Sequence, residues 1–441
     1  MSFPRYPTYK DSGVEWLGEV PGHWEVVPLK HLANFINGDA FKPTEWADSG
    51  TPIIRIQNLN GSDNFNYYDG EVESRYLVND GDLLFGWSGN RGTSFGPFLW
   101  RHPEVCALNQ HIFRVVPYHA EKRSLYWTLK AVTAHVEDQA HGIIGMVHVT
   151  KGDLGAICVP TPPVSEQTQI ATFLDRETAK IDGLVAEQLR LMALLKEKRQ
   201  AVITHAVTQG LNPDAPMKPS GVEWLGEVPA HWDVIALKRI ADVQTGVAKG
   251  KDHGSRTTIS VPYLRVANVQ DGYLNLETVA TMDIPPEDLQ RYALQPGDVL
   301  MNEGGDFDKL GRGHVWEGQI EPCITQNHVF AVRPRKVASA WLNAVTGSNF
   351  AQFYFMTRSK QSTNLASISS TNLMELPVIL PPENEQVEIL AFIANQSARF
   401  DTLTAEAQRA IALLQERHTA LVSAAVTGQI DVRGLAAIAT H

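Results

Sequence analysis

The sequence predicts an α+β protein with two similar mixed α/β domains joined by two long helices that pair as an antiparallel coiled coil. Three observations support this prediction. The stretch SGVEWLGEVPGHWEVVPLK in the first half returns in the second half as SGVEWLGEVPAHWDVIALK, with 15 of 19 positions identical. Short alternating apolar runs follow each copy, and each half then ends in a long segment with heptad spacing. At 441 residues the chain is also long enough for more than one hydrophobic core.

The internal repeat continues beyond this opening motif. The runs that follow it are interrupted by Gly, Asp and Asn, which is typical of mixed β structure with a few short helices. Three blocks recur in the same order: PIIRIQN (52–58) as PYLRVAN (262–268), GDLLF (81–85) as GDVLM (297–301), and CALNQHIFRV as CITQNHVFAV. Each half is therefore predicted to fold as one globular domain of the same kind.

Each half closes with a segment that predicts a long helix. Ser165 and Asn384 follow a Pro-Pro pair and are suitable N-caps, and a glycine stop follows each segment. Apolar residues then recur in steps of four and three over about five heptads, as in a coiled-coil seam. They are Ile170, Leu174, Ile181, Leu184, Leu191, Leu195 and Val202 in the first segment, and Ile389, Ile393, Phe400, Leu403, Leu414 and Leu421 in the second. This spacing favours pairing of the two helices; the alternative is that each packs only on its own globular domain.

These patterns predict a definite order of domains. It is a first globular domain (1–163), a central helix (164–210), a linker (211–219), a second globular domain (220–382), a C-terminal helix (383–428) and a tail (429–441). An antiparallel helix pair would relate the two halves by a pseudo-twofold axis. Two similar faces at a fixed separation suit the two half-sites of a twofold-symmetric polymer such as duplex DNA.

Composition limits the class of protein. The formal net charge is −11, and none of four successive segments (1–150, 151–215, 216–380 and 381–441) is net positive, which counts against a free-standing nucleic-acid-binding protein. The sequence contains no run of about 18 apolar residues, the length that a membrane span needs. The N-terminus lacks the apolar core of a signal peptide. The three cysteines show no C-x-x-C spacing, so neither disulfides nor a zinc site are expected and a reducing cytoplasm fits.

The sequence contains no motif for catalysis. The proline pairs in TPPV and LPPE lack the Asn or Asp and the aromatic residue with which DNA adenine methyltransferases hold a flipped base. The glycine-rich GNRGTSFG and GGDFDKLGRG lack a strand–helix context, and GVAKGKD lacks the spacing and hydroxyl of a P-loop. We therefore expect a targeting module that is not an enzyme and that needs no cofactor or metal.

Together these residues resemble a known family. YKDSGVEWLGEVPGHW, the duplicated domains and above all PPVSEQTQIATFLDRETAKID are similar to the specificity subunit of type I restriction–modification systems, over essentially the whole chain. The second helix departs slightly, with Phe400 in place of Ile181 and ARFD in place of AKID, which leaves the heptads intact.

The resemblance implies a function and a set of partners. Each globular domain would be a target recognition domain that reads one half of a bipartite site in double-stranded DNA, with the paired helices as the spacer. Two DNA methyltransferase (modification) subunits would bind the helices, and restriction–translocase subunits would be recruited beyond them. No membrane partner is implied.

Base readout needs side chains with paired donors and acceptors on loops that reach the major groove. The loop after GDLLF is the main candidate in the first half, and its counterpart is the candidate in the second. Their polar residues are Ser88, Asn90, Arg91 and Thr93 in the first loop, and Asn302, Lys309 and Arg312 in the second. The loop recurs at the same position in both halves while its residues differ, as the reading of two different half-sites requires. The alternative is a plain surface loop with turn glycines.

A second group of cations suits phosphate contacts. It consists of Lys42 in the first half and of Lys249, Lys251 and Arg256 in the second, and its alternative is a solvated charge run. Arg55 and Arg265 occupy equivalent positions, predicted to lie inside strands. Because they do not vary between the halves, we expect a structural or phosphate-positioning role for them rather than base readout.

The remaining repeated residues are predicted to be scaffold. His111 and His328 have no second ligand at metal spacing and are expected to be packed inside the domains, while Cys106 and Cys323 are expected to be small, buried and reduced. The opening motif is expected to join each domain to the helices through apolar anchors, which are Val14, Trp16, Leu17, Val20 and Trp24.

Two other functions stay open at this point. A symmetric protein–protein scaffold that never touches DNA would fit the acidic charge. An enzyme of unrecognised type is the third interpretation.

Overall fold

The structure is a computed structural model that describes residues 3–139, 146–248, 250, 254, 256–305, 310–361 and 366–435. The chain divides into two units, Met1–Gln188 with Gln408–His441, and Leu189–Ala407. Both boundaries fall inside long helices. Each unit therefore contains one globular domain, the beginning of one long helix and the end of the other.

The first unit contains fourteen described strands. They are β1 (Tyr9–Asp11), β2 (Glu19–Pro21), β3 (Glu25–Pro28), β4 (Ala33–Asn37), β5 (Thr51–Ile54), β6 (Asn66–Tyr68), β7 (Leu77–Val78), β8 (Leu83–Gly86), β9 (Ser88–Asn90), β10 (Gly96–Leu99), β11 (Cys106–Leu108), β12 (Ile112–Pro117), β13 (Met146–His148) and β14 (Cys158–Thr161). Its α-helices are α1 (Ile56–Leu59), α2 (Lys122–Gln139), α3 (Lys151–Ala156) and the beginning of α4 (Val164–Gln209), and 3-10 helices lie at Leu29–His31, Pro43–Glu45 and Ser74–Tyr76.

Two four-stranded sheets form the centre of the first domain. One has the antiparallel order β10-β8-β12-β4, and the other has the order β6-β5-β11-β7, in which β5 and β11 run parallel. Successive side chains of a strand point to opposite faces, so Phe85 and Phe113 join one buried cluster while Leu84 and Ile112 join another. Both faces of β8 are therefore buried, which explains why its sequence, LLFG, is a continuous apolar run.

The second unit also contains fourteen described strands. They are β15 (Met217–Pro219), β16 (Glu227–Pro229), β17 (Asp233–Ala236), β18 (Ala241–Thr245), β19 (Ile259–Leu264), β20 (Ala280–Ile284), β21 (Val299–Asn302), β22 (Gly304–Gly305), β23 (Gly313–Val315), β24 (Ile324–Thr325), β25 (Val329–Pro334), β26 (Lys360–Gln361), β27 (Ala366–Ser367) and β28 (Pro377–Leu380). Its α-helices are α5 (Pro286–Tyr292), α6 (Ser339–Thr346), α7 (Asn349–Arg358), α8 (Ser370–Met374) and the beginning of α9 (Glu383–Val426), and 3-10 helices lie at Leu237–Arg239 and Val266–Asn268.

The second domain repeats the framework of the first. Its sheets have the orders β18-β25-β21-β23 and β20-β19-β24, and β19 and β24 run parallel. Phe330 joins one buried cluster while its neighbours Val329 and Ala331 join another. The prediction of two similar mixed α/β domains is therefore confirmed, because both halves place the same sequence blocks on the same strands.

The two long helices have 46 and 44 residues. Each begins at a position within the proline-rich break, at Val164 and Glu383, so Ser165 and Asn384 lie inside the first turn and are not the N-caps that we predicted. Each ends before a glycine with positive φ, Gly210 or Gly428. The order and limits of the domains along the chain otherwise stay a prediction.

The heptad residues near the ends of the long helices are buried in both units. In the first unit Ile170, Leu174 and Ile181 share a cluster with Leu421 from the end of the other helix and with Trp24 of the globular domain. The beginning of α4 therefore packs both on the end of α9, as in an antiparallel pair, and on its own domain.

The second unit has the same arrangement with the helices exchanged. Ile389 near the start of α9 shares a cluster with Ala206 and Val207 near the end of α4, and with Trp232 of the second domain. The two interpretations of the stripe, helix pairing and packing on the domain, thus hold together. The pseudo-twofold relation between the halves stays a prediction.

The heptad prediction is wrong at three central positions of the helices. Leu184, Leu191 and Leu403 are 52%, 42% and 44% exposed, whereas Leu195 and Phe400 are buried. Ile393 and Leu414, which belong to the same predicted stripe, are partly buried and pack against the clusters of their own units. Spacing alone cannot distinguish a leucine that faces a partner helix from one that faces solvent.

A buried carboxylate holds the opening motif against the long helix. In the first unit Glu166, in the first turn of α4, accepts hydrogen bonds from Trp24 Nε1 at 3.0 Å and from the Tyr6 hydroxyl at 3.2 Å. Its other oxygen lies 2.7 Å from His23 Nε2. Trp24 is fully buried and Glu166 is 7% exposed, so this contact fixes the domain on the helix.

The same contact recurs in the second unit. Glu385, in the first turn of α9, accepts a hydrogen bond from Trp232 Nε1 at 2.9 Å and lies 2.6 Å from His231 Nε2. The glutamate belongs to the Pro-Pro-x-x-Glu-Gln sequence that recurs in both helices. The repeated histidine, tryptophan and glutamate therefore recur because together they form one docking contact in each unit.

The glycine that ends each helix also meets the opening motif. A Cβ on Gly428 would lie 2.4 Å from Pro21 and 2.9 Å from Trp24, and one on Gly210 would lie 3.1 Å from Trp232. The opening motif thus contacts the start of one helix and the end of the other within each unit.

Trp16, and Trp224 at the same position of the second copy of the opening motif, are not the anchors to the long helices that we predicted for this motif. Trp16 stacks on His135 of α2 with ring centroids 4.8 Å apart. Trp224 is 39% exposed and its ring lies 6.1 Å from that of Phe353 on α7. Both indoles pack on a helix of their own globular domain, while Leu17 and Val20 are buried as expected.

Candidate nucleic-acid interface

The predicted recognition loop of the first unit is built on β9. Ser88 and Asn90 pair with His148 and Met146 of β13, and the Asn90 carbonyl closes the turn by accepting from the Thr93 backbone N–H at 3.2 Å. Asn90, Thr93 and Arg91 are exposed, whereas Ser88 is half-buried. The strand pairing therefore presents the predicted polar residues of this loop on the surface.

The corresponding loop of the second unit differs from the prediction. Asn302 is 4% exposed and its Nδ2 donates to the Val269 carbonyl at 2.8 Å. Asn302 is therefore a buried scaffold residue that holds a neighbouring segment, and its assignment to base readout is wrong. Lys309 lies outside the described residues.

Arg312 lies beside the long helix of its own unit. It is half-buried and lines a cleft of about 460 Å³ between the second domain and α4. Lys196 and Gln200 of α4 line the same cleft, together with Asn349 at the start of α7. A cationic side chain that lines an open cleft is suited to a phosphate contact as well as to a base contact.

The second group of cations is only partly described. Lys42 is exposed at the start of the 3-10 helix Pro43–Glu45, and its backbone N–H donates to Glu45 Oε2 at 2.8 Å. Arg256 is exposed as well. Lys249 and Lys251 lie outside the described residues, so contact of this group with phosphates stays a prediction.

Arg55 and Arg265 were predicted to lie inside strands. They lie directly after strands instead. Each precedes a short helix, and its backbone N–H donates to an asparagine three residues on, at 2.9 Å in both units. Arg55 lies over the Trp46 ring at 4.7 Å and donates to Asn66 Oδ1 at 2.7 Å. Arg265 donates to the Thr278 carbonyl at 3.4 Å. These contacts within the domain support the structural role that we expected.

His111 and His328 are both exposed, so the expectation of packed scaffold histidines is wrong. Each lies in the turn between two strands, next to a primary amide: Gln110 Nε2 is 3.3 Å from His111 Nε2, and Asn327 Nδ2 is 3.4 Å from His328 Nε2. We overlooked these two amides in the sequence. The repeat in the sequence points to them, because an amide residue followed by a histidine precedes the same strand in both halves.

The cysteines behave as predicted for buried scaffold residues. Cys106 and Cys323 are buried and free, and burial raises the pKa of the Cys106 thiol to about 11 and that of Cys323 to about 12. Both thiols are therefore protonated at neutral pH. Within the described ranges, no group of three or more His, Cys, Asp or Glu side chains is arranged to hold a metal ion. No helix in the part of the chain that the structure describes is long and apolar enough to cross a membrane.

These observations define a class of protein. It has two copies of one globular domain, each with an exposed histidine in the turn before the same strand. Each copy is docked through a glutamate on the first turn of a long helix.

A comparison with protein families identifies the class. A family model described as the type I restriction modification DNA specificity domain matches residues 21–189 and again residues 229–412. The two matches cover most of the chain, and the chain belongs to this family. One match falls in each half of the chain, as the internal repeat requires.

Individual relatives agree with this assignment. The type I restriction enzyme EcoBI specificity subunit of Escherichia coli is 24% identical in an alignment of 436 positions that covers 96% of this chain and 90% of that protein. The type I restriction enzyme MjaVIII specificity subunit of Methanocaldococcus jannaschii is 23% identical in an alignment of 437 positions that covers 94% of this chain and 95% of that protein.

A solved structure supports the fold. It was described for complex assembly and conformational transition of the type I R-M system, and one of its chains superposes with a TM-score of 0.64 at 16% identity. The match covers 92% of this chain and 98% of that chain.

Proposed function

We propose that this protein is the DNA specificity subunit of a type I restriction–modification system. Each globular domain reads one half of a bipartite site, and the long helices act as the spacer between the two readings. The observation that carries this proposal is the twofold match to the DNA specificity family, once in each half of the chain. Different exposed residues on the same strand framework support the reading of two different half-sites.

The proposed partners are double-stranded DNA, two DNA methyltransferase subunits and the restriction–translocase subunits. The chain itself directs them and contributes no catalytic group. Its net charge of −11 opposes the approach of a polyanion, so the methyltransferase subunits are expected to supply many of the phosphate contacts. A DNA target and the free, buried thiols of Cys106 and Cys323 are the support for a proposed cytoplasmic location.

A symmetric scaffold that never touches DNA is not favoured. The acidic charge was its main support, and an assembly in which partner subunits bring the cations accounts for that charge. Belonging to a DNA specificity family also counts against it.

Methylation mapping tests the proposal directly. The chain is co-expressed with the methyltransferase subunits of its own system in a host without other DNA methylation, and methylated bases are located across the genome. We expect one bipartite motif with two specific parts and an unspecific spacer, and no motif when this chain is omitted. Methylation without any sequence motif, by an assembled complex, would contradict the proposal.

A further inference from the structure

The two turns with an exposed histidine have the same construction in both units. In the first, Gln110 and His111 are exposed, while Leu108 and Ile112 on either side are fully buried. In the second, His328 is exposed and Asn327 is half-buried, while Thr325 and Val329 are fully buried. Only the tip of each turn thus reaches the surface, and what it presents there is a primary amide next to an imidazole.

The backbone beneath each tip is held in place from several sides. Asn109 N–H donates to the Ile54 carbonyl at 3.2 Å, and the Leu108 carbonyl accepts from Asp39 N–H at 2.8 Å. The equivalent bonds in the second unit join Gln326 to Leu264 at 2.9 Å and Thr325 to Val247 at 2.8 Å. A turn fixed in this way presents its side chains with little loss of conformational entropy on binding.

A glycine in each unit allows this construction. A Cβ on Gly38 would lie 2.2 Å from the carbonyl oxygens of Leu108 and Asn109, and a Cβ on Gly246 would lie 2.2 Å from that of Thr325. Only a residue without a side chain can bring the neighbouring segment so close to the turn. The same glycine therefore supports the same turn in both domains.

Each turn also adjoins the loop that was predicted to read DNA. Trp87, directly before β9, donates from Nε1 to the Gln110 carbonyl at 3.0 Å, and its ring lies 5.6 Å from that of His111. In the second unit the equivalent residue is Glu303. Its backbone N–H donates to the His328 carbonyl at 2.9 Å, and its carboxylate lies 3.4 Å from His328 Nδ1.

The framework is therefore constant while the chemistry at its surface varies. The amide is longer by one methylene in the first domain, and the histidine is flanked by an indole in the first and by a carboxylate in the second. Two domains that read different half-sites need this combination of a shared support and different contact groups.

We propose that Gln110 with His111, and Asn327 with His328, are base-reading pairs, one for each half-site. The proposal rests on the proposed function, since it names residues that would carry it out. A primary amide has two N–H donors and a carbonyl acceptor. One donor can hold the imidazole while the other donor and the acceptor face the N7 and N6 groups of an adenine in the major groove. In the first unit the remaining ring nitrogen of His111 can then bond to an adjacent base edge, whereas the remaining ring nitrogen of His328 lies beside the Glu303 carboxylate.

The test measures DNA binding by the complete complex with its methyltransferase subunits. Three duplexes are compared. One contains the intact motif found by methylation mapping of the wild-type complex, one has the first half-site of this motif scrambled, and one has the second half-site scrambled. Because a bidentate amide contact discriminates by roughly 5- to 150-fold, Gln110→Ala should weaken binding to the intact motif by a factor in that range. It should not weaken binding further when one particular half-site, the one read by the first domain, is already scrambled.

Asn327→Ala should give the mirror image, with the loss confined to the other half-site. Gln110→Glu keeps the shape of the side chain but removes both N–H donors, and should weaken binding at least as much as Gln110→Ala. Asn34→Ala and Gln290→Ala change exposed amides on β4 and α5 and should leave all three affinities unchanged. Equal melting temperatures of all variants show that folding is not affected.

Three outcomes separate the possible failures. Unchanged affinity of the alanine variants for the intact motif overturns the proposal. A loss that is equal on all three duplexes also overturns it, because the pair would then contact phosphates. If the wild-type complex itself fails to distinguish the intact motif from scrambled duplexes, the proposed function fails before any variant is considered.

Discussion

Replacing Glu166 by alanine removes the acceptor that holds the first domain on its helix. The Trp24 indole N–H and the Tyr6 hydroxyl would lose their partner, and these residues are 0% and 4% exposed. A buried donor without a partner costs about 1–3 kcal/mol. With two such donors and the lost contact to His23, we expect the free energy of unfolding of the first unit to fall by about 3–5 kcal/mol.

The second unit provides an internal comparison. The Glu385 side chain is 30% exposed, the His231 side chain is 49% exposed, and Trp232 is the buried donor. Water can replace part of the lost contact there. We therefore expect Glu385→Ala to lower the free energy of unfolding of its unit by about 1–2 kcal/mol.

The assay is urea denaturation of the full chain, with hydrogen exchange of peptides from the start of each long helix to show which unit is affected. Glu166→Gln keeps one acceptor oxygen and should cost less than Glu166→Ala. Glu187→Ala changes an exposed glutamate on α4 and should shift stability by less than about 0.5 kcal/mol. A cost for Glu385→Ala equal to or above that for Glu166→Ala would refute the reasoning, because burial would then not determine the penalty.

Four further predictions follow from the proposed function and from the charges. The isolated chain should bind DNA weakly and with strong salt dependence, and adding the methyltransferase subunits should produce specific binding in gel-shift titrations; tight specific binding by the chain alone would contradict this. Arg91→Ala should weaken recognition of one half-site and Arg312→Ala the other, each by about 1–3 kcal/mol if the contact is to a base, in affinity measurements with duplexes altered in one half-site; an equal loss on every sequence would assign these arginines to phosphates. One heptad inserted after Leu191 lengthens the helix by roughly 10 Å, or about three base pairs of rise, so the methylated motif should keep both half-sites and gain a longer spacer; an unchanged spacer in an active complex would show that the helix does not set it. The Arg433 guanidinium donates a hydrogen bond to Asp431 and holds the pKa of that carboxyl below its usual value, so the bond stabilises the folded state above the unfolded pKa and this stabilisation is lost as pH falls through the lower folded pKa. Asp431→Asn should therefore reduce the free energy of unfolding at pH 7 by less than about 1 kcal/mol, and the difference from wild type should shrink below about pH 4. A difference that persists at low pH would contradict this prediction.

Local patterns in the sequence were enough to predict the main elements. The Pro-Pro breaks, the apolar steps of four and three and the closing glycines predicted both long helices to within about two residues of their observed ends. The repeated blocks predicted two domains of one kind. These features depend on residues that are close together in the chain, where periodicity and turn chemistry act directly.

Contacts between distant parts of the chain decided the roles of individual side chains. Trp16 and Trp24 look equally suitable as anchors in the sequence, but only Trp24 meets Glu166, which lies more than a hundred residues away. Asn302 looked like a reading residue but is buried and donates its side-chain N–H to the Val269 carbonyl. His111 looked like a packed residue and is exposed at a turn tip.

The sequence by itself thus determined that the chain contains two copies of one mixed domain, each followed by a heptad helix, because repeats and periods are properties of the chain alone. The tertiary structure decided which leucines of the stripe are buried, which tryptophan joins a domain to its helix and which polar residues reach the surface. The physical reason is that the exposure of a side chain depends on what packs against it. In this protein Trp24 is buried in a cluster with Ile170 and Leu421, which lie far away in the sequence. His111 stays exposed at the tip of its turn.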